Sequence, residues 1–169
     1  MPNFQHTLEI RAEPADLFAL TQDYGRRLDW DPFLREALLL NGAQRPAVGV
    51  RAWCVARIGL GMETEYVSWL PPRVAAVKMT RGPALLAEFA GSWRFEAQAP
   101  GCTRVSFTYR LAAHPRWLRW LLDPILQGVF ARDTVRRLRA LKRAVETTDI
   151  LATYFHASQH QQSDRFPAD

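Results

Sequence analysis

Four hydroxyl-bearing residues stand where they could act on a bound molecule. Thr64, Tyr66 and Ser68 alternate along one predicted strand, and Tyr109 lies in another. A hydroxyl in an apolar interior needs a hydrogen-bond partner, which is either the protein itself or a ligand. A tyrosine in such a place can also move a proton or hold an enolate. These hydroxyls are therefore candidates for binding or for proton transfer.

The same strand faces carry large apolar side chains. Taken singly, each hydroxyl is better explained as a core residue bonded to the backbone or to water. Taken together with their apolar neighbours, the hydroxyls indicate a pocket, because ligand sites combine apolar walls with a few polar groups. The predicted ligand-binding residues are Met62, Thr64, Tyr66, Ser68, Phe89, Trp93, Phe107, Tyr109, Leu122, Leu126 and Phe130.

No metal or cofactor site is evident in the sequence. His6 and His114 are isolated, and His156 and His160 share a helical spacing in a polar segment without a third ligand. The chain has no glycine-rich phosphate loop, no serine nucleophile elbow and no paired-cysteine motif. We therefore expect no metal and no cofactor.

A cluster of carboxylates has a structural explanation. Asp23, Asp29 and Asp31 lie near the ends of predicted helices. Aspartate at such positions commonly caps the helix or pairs with a neighbour, here Arg26 or Arg27. No His, Asp or Glu is predicted to point inward, so a general base for catalysis is not evident.

The formal net charge of +5 is concentrated in residues 115–147, which hold eight basic and three acidic side chains. Arg132, Arg136, Arg139 and Arg143 follow steps of three and four, and we call this set the basic stripe. A helix that covers a core must place charged groups on its wet face, and this is the interpretation we favour. The alternative is that the basic stripe binds nucleic acid or an anionic membrane.

The elements that position these residues begin with a strand over residues 9–12. Pro14 fixes the backbone for a first helical turn, and Gly25 is expected to end that helix. A second short helix covers residues 26–30, and Pro32 stops it before a strand at residues 33–40. Further strands are predicted at residues 50–58, 62–70, 73–81, 87–98 and 104–111.

Two hairpins predict the register of the sheet. A three-residue loop at residues 59–61 would place Arg57 opposite Glu63. A turn at residues 99–101 would place Glu96 opposite Arg104 and Trp93 opposite Phe107. Both arrangements give a wet outer face and an apolar inner face. The predicted strand at residues 62–70 contributes Met62, Thr64, Tyr66, Ser68 and Leu70 to that inner face.

The C-terminal segment supplies a cover for the apolar face. Apolar residues recur at steps of three and four from Leu118 to Val145, which is typical of a helix with one buried stripe. Pro124 interrupts this pattern, so we expect a short helix over residues 115–123 and then a long one, or a kink. Residues 148–169 are polar and lack periodicity, which indicates a flexible tail.

Size and composition bound the answer further. A chain of 169 residues that is 48% hydrophobic forms one domain, which we place at residues 1–147. No window is apolar enough to span a bilayer, and no leader peptide is evident. Cys54 and Cys102 are two lone cysteines, which favours a reducing compartment. We expect a soluble, cytoplasmic protein.

Five short motifs run along the chain in order: Pro14-Ala15-Asp16-Leu17-Phe18, Asp23-Tyr24-Gly25-Arg26-Arg27-Leu28-Asp29-Trp30-Asp31-Pro32, Val48-Gly49, Trp69-Leu70-Pro71-Pro72-Arg73 and Gly91-Ser92-Trp93-Arg94-Phe95. With the order of elements, they resemble the START and pollen-allergen-like superfamily (SRPBCC) over residues 3–147, and within it the polyketide cyclase/dehydrase-like group. The resemblance implies an α+β helix-grip fold, in which a curved antiparallel sheet of six to seven strands wraps a long C-terminal helix. It also implies a deep cavity for an apolar or aromatic molecule.

Three functions remain open from the sequence, because this fold serves many. The first is binding or transport of a hydrophobic small molecule such as a lipid, quinone or polyketide. The second is a cyclase or dehydratase in which Tyr66 or Tyr109 moves a proton or holds an enolate. The third is an interaction protein that uses the basic stripe. We favour the first, because no catalytic dyad is evident.

Overall fold

The fold is a single seven-stranded antiparallel sheet that curls around a long C-terminal helix, seen in a computed structural model that describes residues 3–154. The strand order is β1-β7-β6-β5-β4-β3-β2. The elements in chain order are β1 (Asn3–Ile10), α1 (Pro14–Gln22), α2 (Arg27–Trp30), β2 (Leu34–Leu39), β3 (Arg51–Ala56), β4 (Gly61–Leu70), β5 (Val74–Arg81), β6 (Leu86–Ala99), β7 (Cys102–Ala113), a 3₁₀ turn (Arg116–Leu118) and α3 (Arg119–Thr147). The predicted helix-grip architecture is confirmed.

The hairpin between β6 and β7 has the predicted register. Glu96 lies opposite Arg104, and Trp93 lies opposite Phe107. Both aromatic residues are buried, with ring centroids 4.7 Å apart. These two long strands form the apolar inner face on which the core is built.

The hairpin between β3 and β4 has the predicted faces but not the predicted register. Trp53, rather than Arg57, lies opposite Glu63. The three-residue loop is centred on Ile58 instead of Leu60, because a loop of this type needs a positive φ at its last residue and Gly59 supplies it with φ 90°. The shift is an even number of residues, so every side chain keeps its face.

A β-bulge in β4 changes which residues point inward beyond Tyr66. Tyr66 pairs with Val77 but Ser68 pairs with Ala76, so Val67 is the extra residue. After the bulge Trp69 packs on the core side, with its ring 4.9 Å from that of Phe18. The prediction that Ser68 continues the inner face is therefore wrong, and so is that of Leu70, which is exposed.

Helix α3 runs without a break from Arg119 to Thr147, so the predicted division at Pro124 is wrong. Pro124 lies in the second turn of α3. The first four N–H groups of any helix lack partners within the helix, and Pro124 removes only one more backbone hydrogen bond just beyond them. The C-terminal half packs on β1 and β7 through Leu138, Leu141 and Val145. All four arginines of the basic stripe are exposed, as a solvated face requires.

The segment after α3 differs from the predicted flexible tail over its first residues. Residues 150–154 are helical, and Ile150, Leu151 and Tyr154 pack against the core cluster. This packing buries apolar side chains that a solvated tail would expose. The rest of the predicted tail lies outside the described residues. Within residues 3–154, none of the helices combines the length and apolar character needed to cross a membrane.

The two halves of α3 should differ in what they contribute to stability. We expect Leu138→Ala to lower the free energy of unfolding by about 2–5 kcal/mol, because Leu138 is fully buried and its removal leaves a cavity. Leu121→Ala, the same substitution on the same helix, should cost under about 1 kcal/mol, because Leu121 is 43% exposed. Urea denaturation measures both values. Equal losses would contradict the packing described here.

Candidate ligand-binding cavity

A cavity of about 240 Å³ lies between the inner face of the sheet, the α1–α2 segment and α3. Its wall is mostly apolar, with contributions from β2 to β7 and from α3 as far as Arg137. Ile58, Leu60 and Leu85 line the cavity and are also exposed, so they mark its mouth. Gly91 lies in the floor, where an added Cβ would approach the Phe107 ring to 3.3 Å. The cavity thus exists in part because this strand position lacks a side chain.

Most of the residues predicted to bind a ligand lie in this wall. They are Met62, Thr64, Tyr66, Phe89, Trp93, Phe107, Leu126 and Phe130. Ser68, Tyr109 and Leu122 are not among the residues that line the cavity. Ser68 faces away because of the bulge in β4.

Tyr109 is separated from the cavity by other rings. Phe89 stacks on it and Phe130 lies 5.7 Å from it, centroid to centroid. Its hydroxyl donates to the backbone carbonyl of Gln127 over 2.9 Å. Burial, and then the nearby carboxylate of Asp133, raise the pKa of Tyr109 above its ordinary value. Tyr109 is therefore a neutral packing residue whose proton already has an acceptor.

Tyr66 belongs to a chain of hydrogen bonds along the cavity edge. Its hydroxyl donates to Gln22 Oε1 over 2.9 Å, so Tyr24, 3.2 Å away, must donate to Tyr66. Gln22 Nε2 in turn donates to Thr21 Oγ1, which donates to the carbonyl of Phe18. Burial raises the pKa of Tyr66 to about 12. Tyr66 is neutral near pH 7 and its proton is committed within the protein.

A charged cluster forms the polar end of the cavity. Asp31 is 1% exposed and accepts from Arg27 Nε over 3.1 Å and from Arg137 Nη2 over 2.7 Å. Burial alone would raise the pKa of Asp31, but the guanidinium groups of Arg137 and Arg27 outweigh it and lower the pKa. Asp31 is therefore ionised, and it links α2 to α3.

The two arginines themselves line the cavity. The guanidinium carbon of Arg137 lies 5.5 Å from the Phe107 ring centroid and that of Arg27 lies 5.6 Å from the Trp93 ring centroid. Since one carboxylate faces two guanidinium groups, the cluster carries one excess positive charge. Asp133 also lines the cavity, and its carboxylate lies 3.9 Å from Arg136 outside it.

Sequence reasoning missed this charged cluster. The local pattern predicts that Asp31 pairs with a neighbouring arginine at a helix end, and its pairing with Arg27 is confirmed. The same pattern assigns Arg137 to the solvated side of a helix and does not predict its pairing with Asp31. The position of Arg137 at the edge of the buried stripe could have been predicted from the sequence. Arg137 neighbours the buried Leu138 and lies three residues after the buried Thr134, so it borders the core-facing stripe of α3.

The cysteine of the cavity wall is a neutral thiol. Burial raises the pKa of the Cys54 thiol, which lines the cavity and is free. Among residues 3–154, no group of His, Cys, Asp and Glu side chains is placed to hold a metal ion. The cavity therefore offers apolar surface, neutral hydroxyls, the arginine cluster and the carboxylate of Asp133.

The chain belongs to the polyketide cyclase / dehydrase and lipid transport family, whose model matches residues 1–146. A START superfamily protein from Mycobacterium smegmatis has the same fold at 13% identity, with a TM-score of 0.73 over 85% of this chain and 97% of that one. The Zhui aromatase/cyclase from Streptomyces sp. R1128 is 18% identical, with a TM-score of 0.70 over 86% of this chain and 96% of that one.

A third structure, TTHA0849 from Thermus thermophilus, is 18% identical, with a TM-score of 0.71 over 85% of this chain and 97% of that one. At such identities these likenesses show the fold alone. No curated protein matches the sequence. The resemblance seen in the sequence is confirmed at the level of the superfamily.

The buried cluster makes a prediction about stability and pH. Asp31→Asn should lower the free energy of unfolding at neutral pH by about 3–5 kcal/mol, because two buried guanidinium groups lose their counter-charge. Since the folded pKa of Asp31 is lowered, its contribution is present above the unfolded value of about 3.9 and is lost as pH falls through the folded value. The difference between the two proteins should therefore narrow below about pH 4.

The control is Asp29→Asn, the same change two residues earlier, within α2. Asp29 pairs with Arg26 at the surface, where its side chain is 46% exposed. Its loss should cost under about 1 kcal/mol. Chemical denaturation across a pH series measures all three proteins, and equal losses for the two variants would refute the role given to Asp31.

Proposed function

We propose that this protein binds a hydrophobic small molecule that carries an anionic or strongly hydrogen-bond-accepting group. The observation that supports this most is the presence of Arg27 and Arg137 in a cavity whose wall is mostly apolar. The cluster with Asp31 leaves one positive charge without a partner carboxylate of its own. An apolar wall would hold the body of the ligand, and the guanidinium groups would hold its polar end.

Both arginines keep N–H donors that could meet such a group. Asp31 takes the Nε and Nη2 donors of Arg137, and a guanidinium has five N–H donors in all. Arg27 uses Nε for Asp31 and Nη1 for the carbonyl of Thr21. Donors that remain in a low-dielectric cavity bind an acceptor more strongly than they would in water.

The arrangement of the tyrosines supports binding rather than proton transfer. Tyr66 and Tyr109 were the candidate catalytic groups, and each already donates its proton within the protein. The raised pKa of each makes ionisation at neutral pH costly. A general base normally has a pKa near the working pH, and neither hydroxyl meets that condition.

A cyclase or dehydratase is the second candidate, and one feature favours it. Guanidinium groups aimed into an apolar cavity can stabilise an enolate, which is the charge that develops in such reactions. Arg137 and Arg27 would then hold the reacting oxygen, while the wall folds a polyketide-like chain. Turnover of such a substrate by the purified protein, abolished by Arg137→Met, would establish this activity in place of simple binding.

We place this binding in the cytoplasm, where the free thiols of Cys54 and Cys102 would remain reduced. The basic stripe then serves only to keep α3 solvated. Arg132, Arg139 and Arg143 are exposed and lie away from the cavity wall, which supports this view.

A matched pair of substitutions tests the cavity. Val77 lines it from β5, while Val74 lies on the opposite face of the same strand. We expect Val77→Phe to weaken binding of the apolar anionic dye ANS about tenfold or more, because the added ring occupies the cavity. Val74→Phe should bind ANS as the parent does. Fluorescence titration measures this, and equal affinities would place the dye elsewhere.

A second pair of measurements tests the polar end. Arg137→Met leaves Asp31 paired with Arg27 but removes the excess charge. We expect it to weaken decanoate binding by about 10- to 100-fold, which corresponds to the loss of a charge-assisted hydrogen bond. Decanol has the same apolar body without the charge, so its affinity should change little. Calorimetric titration of both ligands decides the matter; a similar loss for both would show only that the cavity had been disturbed.

A further inference from the structure

The first half of α3, the turn before it and the loops at the cavity mouth expose large apolar side chains. Trp117 is 75% exposed and Trp120 is 77% exposed. We call the whole set the mouth patch: Trp117, Trp120, Leu121, Ile125 and Val129 from the α3 side, and Ile58, Leu60 and Leu85 from the sheet side. Two tryptophans with so little protein contact are costly to leave in water.

The patch forms a second apolar stripe on a helix that already has one. Leu126 and Phe130 face the core, while Leu121, Ile125 and Val129 follow steps of four on the exposed side. A helix segment that is apolar nearly all round is normally buried on every side. This segment therefore lacks a covering partner within residues 3–154.

The mouth patch is continuous with the cavity. Ile58, Leu60, Leu85 and Val129 are exposed and line the cavity as well. An apolar surface thus runs from solvent into the binding site. Whatever covers the patch also stands at the entrance that a hydrophobic ligand must pass.

The charges around the patch are mainly positive. Arg57 is exposed beside Ile58, and Arg116 is exposed beside Trp117. The acidic group within the helix segment, Asp123, accepts from the backbone N–H of Ala113 and lies 3.5 Å from Arg119. The negative charge of Asp123 is therefore compensated within the protein. Exposed tryptophan and leucine beside arginine is the composition of segments that lie in the interface of an anionic membrane.

We propose that the mouth patch docks on an anionic membrane surface, so that the cavity opens toward the bilayer. This proposal rests on the proposed binding of a hydrophobic molecule, which would then pass between lipid and cavity without crossing water. The tryptophans enter the headgroup region and the arginines meet anionic lipid. The basic stripe takes no part, because it lies on the later turns of α3.

Vesicle co-sedimentation tests the docking. The parent protein should bind phosphatidylcholine vesicles that contain phosphatidylglycerol, and should bind phosphatidylcholine alone more weakly. Trp117→Ser with Trp120→Ser should lower partition onto the anionic vesicles about tenfold or more. The matched control is Val48→Ser with Leu70→Ser, since these exposed apolar residues lie outside the mouth patch; it should partition like the parent.

Each other outcome has a definite meaning. If the parent protein binds neither kind of vesicle, the docking is refuted. It is also refuted if the two double variants lose vesicle binding equally. A dimer in light scattering that the tryptophan substitutions dissociate would make the patch an interface between copies of this chain, and would also overturn the proposal. Loss of vesicle binding on changing Arg136, Arg139 and Arg143 to Gln, with the tryptophan variant unaffected, would move the contact to the basic stripe.

Calorimetry with decanoate separates this proposal from the proposed function. The tryptophan variant should keep the parent's affinity for decanoate within about twofold, because neither tryptophan lines the cavity. If the parent binds decanoate but no vesicles, the docking fails and the binding function stands. If it binds vesicles but no decanoate, ANS or decanol, the binding function fails instead.

Discussion

The ion pair that Asp31 makes with two arginines is the interaction on which the cavity depends. It joins the end of the short helix α2 to the middle of α3 at the polar end of the cavity. The sheet alone would not hold these two elements at a fixed separation, since α3 packs chiefly on β1 and β7, whereas α2 packs chiefly on β2. A buried carboxylate held between two guanidinium groups tolerates little displacement, because each charge would be left without compensation. The cavity keeps its width because this bridge spans it.

Helix α3 divides at this bridge into two parts with different roles. Beyond it, Leu138, Leu141 and Val145 are buried and close the core. Before it, Leu126 and Phe130 contact the core only in part and the opposite side is exposed. An empty space beneath a helix removes the packing partners of that helix. The same arrangement that creates a binding cavity therefore leaves the overlying segment weakly held, and opening of the cavity would begin there.

Much of this fold could be predicted from the sequence, because alternation along strands and the three- and four-residue steps of α3 are local patterns. The register at Trp93 and Phe107 followed from a single turn and was right. The register at Glu63 was wrong because two glycines, Gly59 and Gly61, offered two places for the loop. The bulge at Val67 has no local signal, since it is set by how β4 meets β5.

The polar part of the site was harder to predict than its apolar wall. Apolar residues could be assigned to the cavity because a strand face is shared by alternate positions, which is why Met62, Thr64 and Tyr66 were found together. The partnership of Asp31 with Arg137 spans more than a hundred residues, so no spacing rule connects them. A charged residue near a buried stripe reads as a surface residue unless its partner is known. Long-range pairs of this kind are what a sequence hides.

The direction of the hydrogen bonds around Tyr66 would affect the orientation of a ligand in the cavity. Each donor in the series from Tyr24 to the carbonyl of Phe18 points the same way, so no hydroxyl in it can rotate without breaking a bond. The Tyr24 oxygen is left with lone pairs only, whereas Arg137 presents only protons. The cavity wall therefore accepts hydrogen bonds at one point and donates them at another. A molecule with a hydroxyl and a carbonyl on one apolar frame would fit it in one orientation and be repelled in the reverse one.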